Sequence, residues 1–334
     1  MINITKNTTI YVVCPSFNKT GGTELAHQLV YEVNQQGGKA FITYYSDGNN
    51  NPKINPAFLN YVSSFTTVED IIDSKDNVII LPEIKPDFAD SFTNIQKCIW
   101  WMSVDNYLKI NGVTGYYKYF GLLRTIKGLI TGNIKIGGYS IDKNITHLYQ
   151  SEYAHQYIIS QGINECYQLS DYVNQSYLIN EVNYENLRED IVLYNPKKGI
   201  DFTKKLISKA PELKWVKIEN MTNEEVKALL RKSKVYIDFG NHPGKDRFPR
   251  EAAISGCCVI TGKCGSAAFY KDIPIDDEYK FEDKDENLEN IIIKIKSCIK
   301  DYNKHTLKFL RYREFIKGEY EKFKQDVNTL FIQK

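Results

Sequence analysis

Val235-Tyr-Ile-Asp-Phe-Gly-Asn-His-Pro-Gly-Lys-Asp-Arg-Phe-Pro-Arg-Glu-Ala-Ala-Ile-Ser-Gly-Cys-Cys-Val-Ile-Thr261 decides how the chain is read. Residues 235–239 read as a strand, apolar except for Asp238. A polar loop with Gly240, Pro243 and Gly244 follows. A helix is expected from about 249 to 255, because Pro249 suits a first turn and Gly256 stops it. Residues 257–261 are again a buried strand. Strand, loop, helix and strand in this order make the repeating unit of a parallel α/β sheet.

The same alternation extends in both directions. Strands are expected at 10–14, 40–45, 77–81, 98–102 and 147–150, then at 191–194 and 213–218. Thr23 is read as opening a helix with Leu25, Leu29 and Val33 on one face, ending at Gly37-Gly38. Thr222 and Glu225 have capping-box spacing for another helix. Periodicity weakens between 170 and 190, where a domain junction is expected. From Glu286 onward the chain reads as helix, with a break at 302–305. The fold class is thus α/β, with two Rossmann-like doubly wound domains and a C-terminal helical segment. The expected boundaries are 1–172, 173–306 and 307–334.

Composition sets limits. The chain has 334 residues, 43 Lys plus Arg and 41 Asp plus Glu, a net charge of +2. That balance excludes a bulk electrostatic nucleic-acid binder. No apolar run approaches the ~18 residues of a membrane span, and residues 1–9 lack a secretory apolar core, so cytoplasmic residence is expected. Seven cysteines, mostly inside apolar runs, read as reduced buried thiols. Cys257, Cys258 and Cys264 are spaced C-C-x5-C, without the C-x2-C pair of a zinc site. The 24 Tyr and 16 Phe residues are read mainly as composition.

Ligands of open parallel sheets bind at the carboxyl ends of strands, which selects four loops. In the first, Gly21 and Gly22 precede a helix whose N-terminal N–H groups suit an anion. Its spacing matches neither G-x-G-x-x-G nor G-x-x-x-x-G-K-[ST], which disfavours a nicotinamide oxidoreductase or a nucleoside-triphosphate site. The second is Trp100-Trp-Met-Ser-Val-Asp-Asn-Tyr107. Ser103, Asp105, Asn106 and Tyr107 there combine carboxylate, amide and aromatic face, the chemistry that binds sugar hydroxyls and C–H faces; Trp100 and Trp101 read equally as core. The third, Tyr194-Asn-Pro-Lys-Lys-Gly199, puts Asn195, Lys197 and Lys198 before a helix, where lysine suits phosphate. The fourth is the opening stretch. His242, Lys245, Arg247, Arg250 and Glu251 gather both charge signs there, with the last two expected in the first helical turn. Asp238 and Asp246 are acidic, but no D-x-D pair exists in the chain.

With these residues in view, the second half resembles the donor domain of GT-B glycosyltransferases, most like the retaining group called family 4. Glu251-Ala-Ala-Ile-Ser-Gly-Cys-Cys-Val-Ile260 is similar to that family's E-A-x-A-x-G-x-P-V-[IV] frame. The resemblance implies two domains facing across a cleft, a nucleotide-sugar donor, and a carbohydrate or lipid-linked hydroxyl acceptor. It implies sugar transfer in surface polysaccharide or glycoconjugate synthesis, with retention of configuration favoured and no metal or other cofactor. Glu251 would contact the donor ribose. Gly265 and Ser266, in the small-residue stretch 262–268, would approach the donor phosphates. Lys197 and Lys198 would match the family's basic residue there, and Gly21-Gly22 its N-terminal glycine loop. Lys197, Lys198, Lys245 and Arg250 would stabilise the leaving phosphate. Asp105 would stand at the catalytic position and serve as general base in an inverting reaction. Two family features are missing: a Gly-Arg pair is replaced by Tyr194-Asn195, and the first Glu of E-x7-E is Pro243. The rival function is a non-catalytic two-lobed sugar or nucleotide binder. Residues 307–316 mix apolar and basic side chains and are expected to pack as a helix across the two domains or to touch a membrane surface, with 307–334 packing back on the N-terminal domain.

Overall fold

The computed structural model describes residues 2–45, 52–132, 134–178 and 188–332. Part of the expected junction, 179–187, lies outside the described residues. The chain divides into two units, Met1–Asp171 with Glu321–Lys334, and Tyr172–Tyr320.

The first unit is built on strands β1 (Ile10–Pro15), β2 (Ala40–Tyr45), β3 (Thr66–Thr67), β4 (Val78–Pro82), β5 (Gln96–Trp101), β6 (Thr146–Tyr149) and β7 (Cys166–Gln168). Their order is β3-β2-β1-β4-β5-β6-β7, and every pairing is parallel. The chain leaves β1 for β2 on one side and returns to β4 on the other, so the switch point lies between β1 and β4. Helix α1 (Gly21–Gln35) starts two residues before Thr23, because Thr20 caps it in a box with Thr23. Helices α2 (Val104–Ile110) and α3 (Gly112–Ile130) follow β5, and α4 (Glu152–Ser160) follows β6. The end of the chain closes this unit: Gln36 donates to the Lys324 carbonyl at 3.0 Å and Ser170 to Asp326 at 2.6 Å.

The second unit carries β8 (Glu189–Tyr194), α5 (Ile200–Lys209), β9 (Lys214–Lys217), α6 (Asn223–Lys232), β10 (Ser233–Asp238), α7 (Arg247–Ile254) and β11 (Cys258–Thr261). Its four parallel strands run β11-β10-β8-β9, with the switch point between β8 and β10. The capping box at Thr222 and Glu225 is present. The helical tail does not break at 302–305. It comprises α8 (Leu288–Lys300), α9 (Tyr302–Leu307) and α10 (Leu310–Phe331). Thus 302–305 are helical and the breaks fall at Asp301 and at 308–309, on either side of α9. Phe309, Tyr312 and Ile316 are buried in this unit's core, while Leu307, Leu310 and Phe315 are exposed. No helix among the described residues is long and apolar enough to cross a membrane.

Candidate active site

The carboxyl edge of the second unit's sheet brings three loops to one place. Gly199 closes the loop after β8, and its φ of 59° lies in the left-handed region. A Cβ there would stand 2.2 Å from the Phe239 carbonyl oxygen, and one on Gly240 (φ 90°) would stand 2.5 Å from Gly199 N. The loops after β8 and β10 therefore touch backbone to backbone, which only glycine permits. The loop after β11 joins them at Gly265 (φ 60°), where a Cβ would meet the His242 carbonyl oxygen at 2.0 Å. Ser266 completes the join by donating its hydroxyl to the Gly244 carbonyl at 2.6 Å.

Lys198 sits in this junction. Its ammonium lies 2.9 Å from Asp238 Oδ1 at the end of β10 and donates to Asp246. His242 Nδ1 stands 3.0 Å from the Asp246 carboxylate, and Nε2 stands 3.2 Å from the Asp238 carbonyl. Burial alone would lower the Lys198 pKa, but Asp238 and Asp246 outweigh it and raise it. Burial likewise opposes ionisation of Asp246, yet Lys198 and His242 hold its carboxyl at about 2. Asp283 closes the edge by accepting the Gly240 N–H at 2.6 Å. Its other oxygen is buried without a hydrogen-bond donor among the described residues.

Asp238, His242 and Asp246 are far apart in metal-motif terms, yet their ligating atoms lie within 4.8 Å of one another. They form a donor set suited to a divalent ion. The Lys198 ammonium already bridges the two carboxylates. A metal ion would have to displace it, so the fixed positive charge of this edge is lysine.

The fourth loop differs from expectation in its helix. Helix α7 begins at Arg247, not near 249, because the chain is extended only as far as Asp246. Arg250 and Glu251 therefore stand in the second turn. Arg250 is fully buried. It donates to Glu319 at 2.9 Å, to the Lys245 carbonyl at 2.8 Å and to the Asp246 carbonyl at 3.1 Å. Lys245 is buried too, 2.7 Å from the other Glu319 oxygen and over the Phe315 ring. Both cations are satisfied internally and hold the loop's shape rather than face solvent. Arg247 and Glu251 are half-buried and Lys197 is exposed. The Tyr177 phenol, its pKa raised by burial and then by Glu251, is hydrogen-bonded to that carboxylate. Asn195 accepts the Lys197 N–H at 3.0 Å.

In the first unit, Gly21 and Gly22 form the first turn of α1, and Gly22 faces Met102 at the end of β5. Ser103 caps α2 by accepting the Asn106 N–H at 3.2 Å. Asn106 is half-buried and accepts from Lys109 at 3.3 Å. Tyr107 is not surface for a sugar. It is 1% exposed, donates to the Tyr139 carbonyl and packs edge-on against Trp101. Trp100 and Trp101 are core as well, their indoles donating to the Leu169 carbonyl and to His147. Asp105 also turns inward, 3% exposed, and accepts the Tyr153 hydroxyl at 2.8 Å.

One acid escaped the sequence reading. Glu83 follows β4, beside the switch point, and is 3% exposed. Met102 N donates to it at 3.2 Å. Burial, only partly offset by backbone donors including Met102 and Ser103, pushes its carboxyl up to about 8. The rule that selected the other strand ends selects this one as well, since Glu83 is the first polar residue after the apolar run 78–82.

No protein-family model matches the sequence, and no curated protein does. Solved structures match along nearly the whole chain. Sucrose-phosphate synthase from Thermosynechococcus elongatus is 11% identical with a TM-score of 0.66, covering 97% of this chain and 98% of that one. Anabaena HepE, solved in complex with UDP, is 12% identical with a TM-score of 0.61 over 96% and 98%. A glycosyltransferase from Rickettsia africae is 14% identical with a TM-score of 0.53 over 97% and 94%. The chain has the GT-B fold of these proteins, as the residues around Glu251 implied.

Proposed function

We propose that the chain is a glycosyltransferase that moves a sugar from a nucleoside diphosphate donor to a hydroxyl acceptor, in polysaccharide or glycoconjugate synthesis. The observation that carries this reading is the glycine-tight junction of three strand-end loops around Lys198. It stands at the ligand-binding edge of the second unit's sheet, in a fold shared with HepE, which was solved with UDP.

The chemistry asks for little covalent work. The sugar C1–O bond to the diphosphate breaks through an oxocarbenium-like state, and negative charge grows on the leaving phosphate. Fixed cations and N–H dipoles at that position lower the barrier. Lys197 and Arg247 supply positive charge, and Lys198, already paired with Asp238 and Asp246, fixes the loops that present it. Glu251 takes ribose hydroxyls, with Tyr177 holding its carboxylate. Asn195, His242, Gly265 and Ser266 shape the phosphate side, while Lys245 and Arg250 keep the loop in place. Retention suits the first unit, where Glu83 and Asp105 are both buried. In that course the departing phosphate itself takes the acceptor proton, and no protein base is required. Ser103 and Asn106, at the start of α2, are the acceptor-side contacts. The lysine bridging Asp238 and Asp246 occupies the place between the carboxylates that a metal ion would take.

A panel of UDP-, GDP-, ADP-, CMP- and dTDP-sugars tests this. Nucleotide release is expected from at least one donor. Glu251→Gln is expected to lower that rate by roughly 10- to 100-fold, about 1.4–2.8 kcal/mol of transition-state stabilisation, with the melting temperature unchanged. Binding without release would assign the chain to the non-catalytic binders. Neither binding nor release across the panel would overturn the reading.

A further inference from the structure

Helix α3 contains a break at Gly121, where φ is 76° and ψ is 175°. In the segment after it, Leu122, Leu123, Ile126, Leu129 and Ile130 are 60%, 83%, 45%, 38% and 81% exposed. At ~100° per residue these five side chains share an arc of about 120°. The opposite side carries Thr125 and Gly128, which are buried. Thr125 donates to the Gly121 carbonyl at 2.8 Å, and Gly128 is packed so closely on Ile134 that a Cβ would stand 2.7 Å from its Cδ1. The segment thus packs by its small residues and turns its branched apolar residues to solvent, the reverse of what burial selects in a globular helix. Ile136, after the helix, is 76% exposed as well.

The charge of this region departs from the rest of the chain. From Asn106 to Ile141 there is no Asp or Glu, and there are five cations, Lys109, Lys118, Arg124, Lys127 and Lys135. The chain as a whole is only +2. On the helix, Lys127 stands about 40° beyond the edge of the apolar arc, while Arg124 stands nearly opposite it; both are exposed. A contiguous apolar face on an exposed element marks an interaction site. A second copy of the chain would bring five like charges against these five. An anionic bilayer complements them.

We propose that residues 121–132 dock the protein on the surface of an anionic lipid bilayer. Leu122, Leu123, Ile126, Leu129 and Ile130 enter the boundary between head groups and acyl chains, and Lys127 at the border of that face pairs with a lipid phosphate. This places membrane contact on α3, whose exposed apolar face holds five residues against three in 307–316. Docking is read without donor or acceptor, so its failure leaves the transfer reading untouched.

Co-sedimentation of the full chain with vesicles is the test. Binding is expected to vesicles of phosphatidylcholine mixed with phosphatidylglycerol and not to phosphatidylcholine alone, and to weaken as salt rises. Leu123→Glu with Ile130→Glu, and separately Lys127→Glu, are each expected to reduce the partition coefficient by about tenfold or more. Lys127 is exposed, and its charge reversal serves if the apolar pair melts early. The proposal is overturned by absence of binding to the anionic vesicles, or by binding that neither variant alters. It is also overturned if sedimentation velocity shows a dimer that these substitutions dissociate, which would assign the face to a second copy.

Discussion

Lys198→Met is expected to destabilise the protein by about 3 kcal/mol, with 5 as an upper bound, and to weaken nucleotide binding. The ammonium joins Asp238, 1% exposed, to Asp246. Without it two carboxylates share a site that already favours neither charge, and breaking a buried pair from one side costs ~3–5 kcal/mol. Asp246, held at about 2 by Lys198 and His242 against its burial, would rise toward the ordinary range. Adding Asp246→Asn removes one of the stranded charges and is expected to restore part of the loss. Urea denaturation of the two single variants and the double variant measures this as a cycle. A neutral Lys198→Met, or strictly additive effects, would contradict the cluster's electrostatic role.

The second large effect is a pH dependence at Glu83. In the unfolded chain its carboxyl titrates near the ordinary 4.5, whereas burial raises it to about 8 in the folded protein. Between those values the folded state keeps a proton that the unfolded state has released. Stability from this group is therefore full below about 4.5, declines as pH rises, and is lost once pH passes about 8. A gap of that size corresponds to roughly 3–5 kcal/mol. Glu83→Gln keeps the acceptor for the Met102 N–H and cannot ionise. It is expected to match the native protein at pH 5 and to exceed it in stability at pH 9. Parallel stability curves for the two proteins across that span would show that Glu83 is not held neutral.

Much of the framework was legible because parallel strands covered on both faces leave short apolar runs. Nine such strands were read within about two residues of their observed bounds. The two missed, Thr66–Thr67 and Cys166–Gln168, stand at the edges of the first sheet, where two or three half-exposed residues carry no periodicity. Helix α3 was missed for another reason: its apolar residues face outward, so patterning does not report its packing.

The candidate site was legible in position and less so in role. Glycine, lysine and acid at strand ends pointed to the right loops. That Lys198 meets Asp246 across 48 residues, and that Arg250 meets Glu319 across 69, is invisible in local spacing. A basic residue in a glycine-proline loop reads the same whether it awaits a phosphate or is already paired. Trp100, Trp101 and Tyr107 carry the same ambiguity, and their burial resolves it toward core.

Hydrogen exchange of the full chain with and without a saturating nucleoside diphosphate tests the nucleotide site most directly, with UDP as the first probe and the other nucleotides of the panel after it. Slowed exchange is expected in 195–200, 240–248 and 262–268, the three loops that meet at Gly199, Gly240 and Gly265, with 121–132 unchanged. Protection confined to the first unit, or none with any nucleotide of the panel, would contradict it.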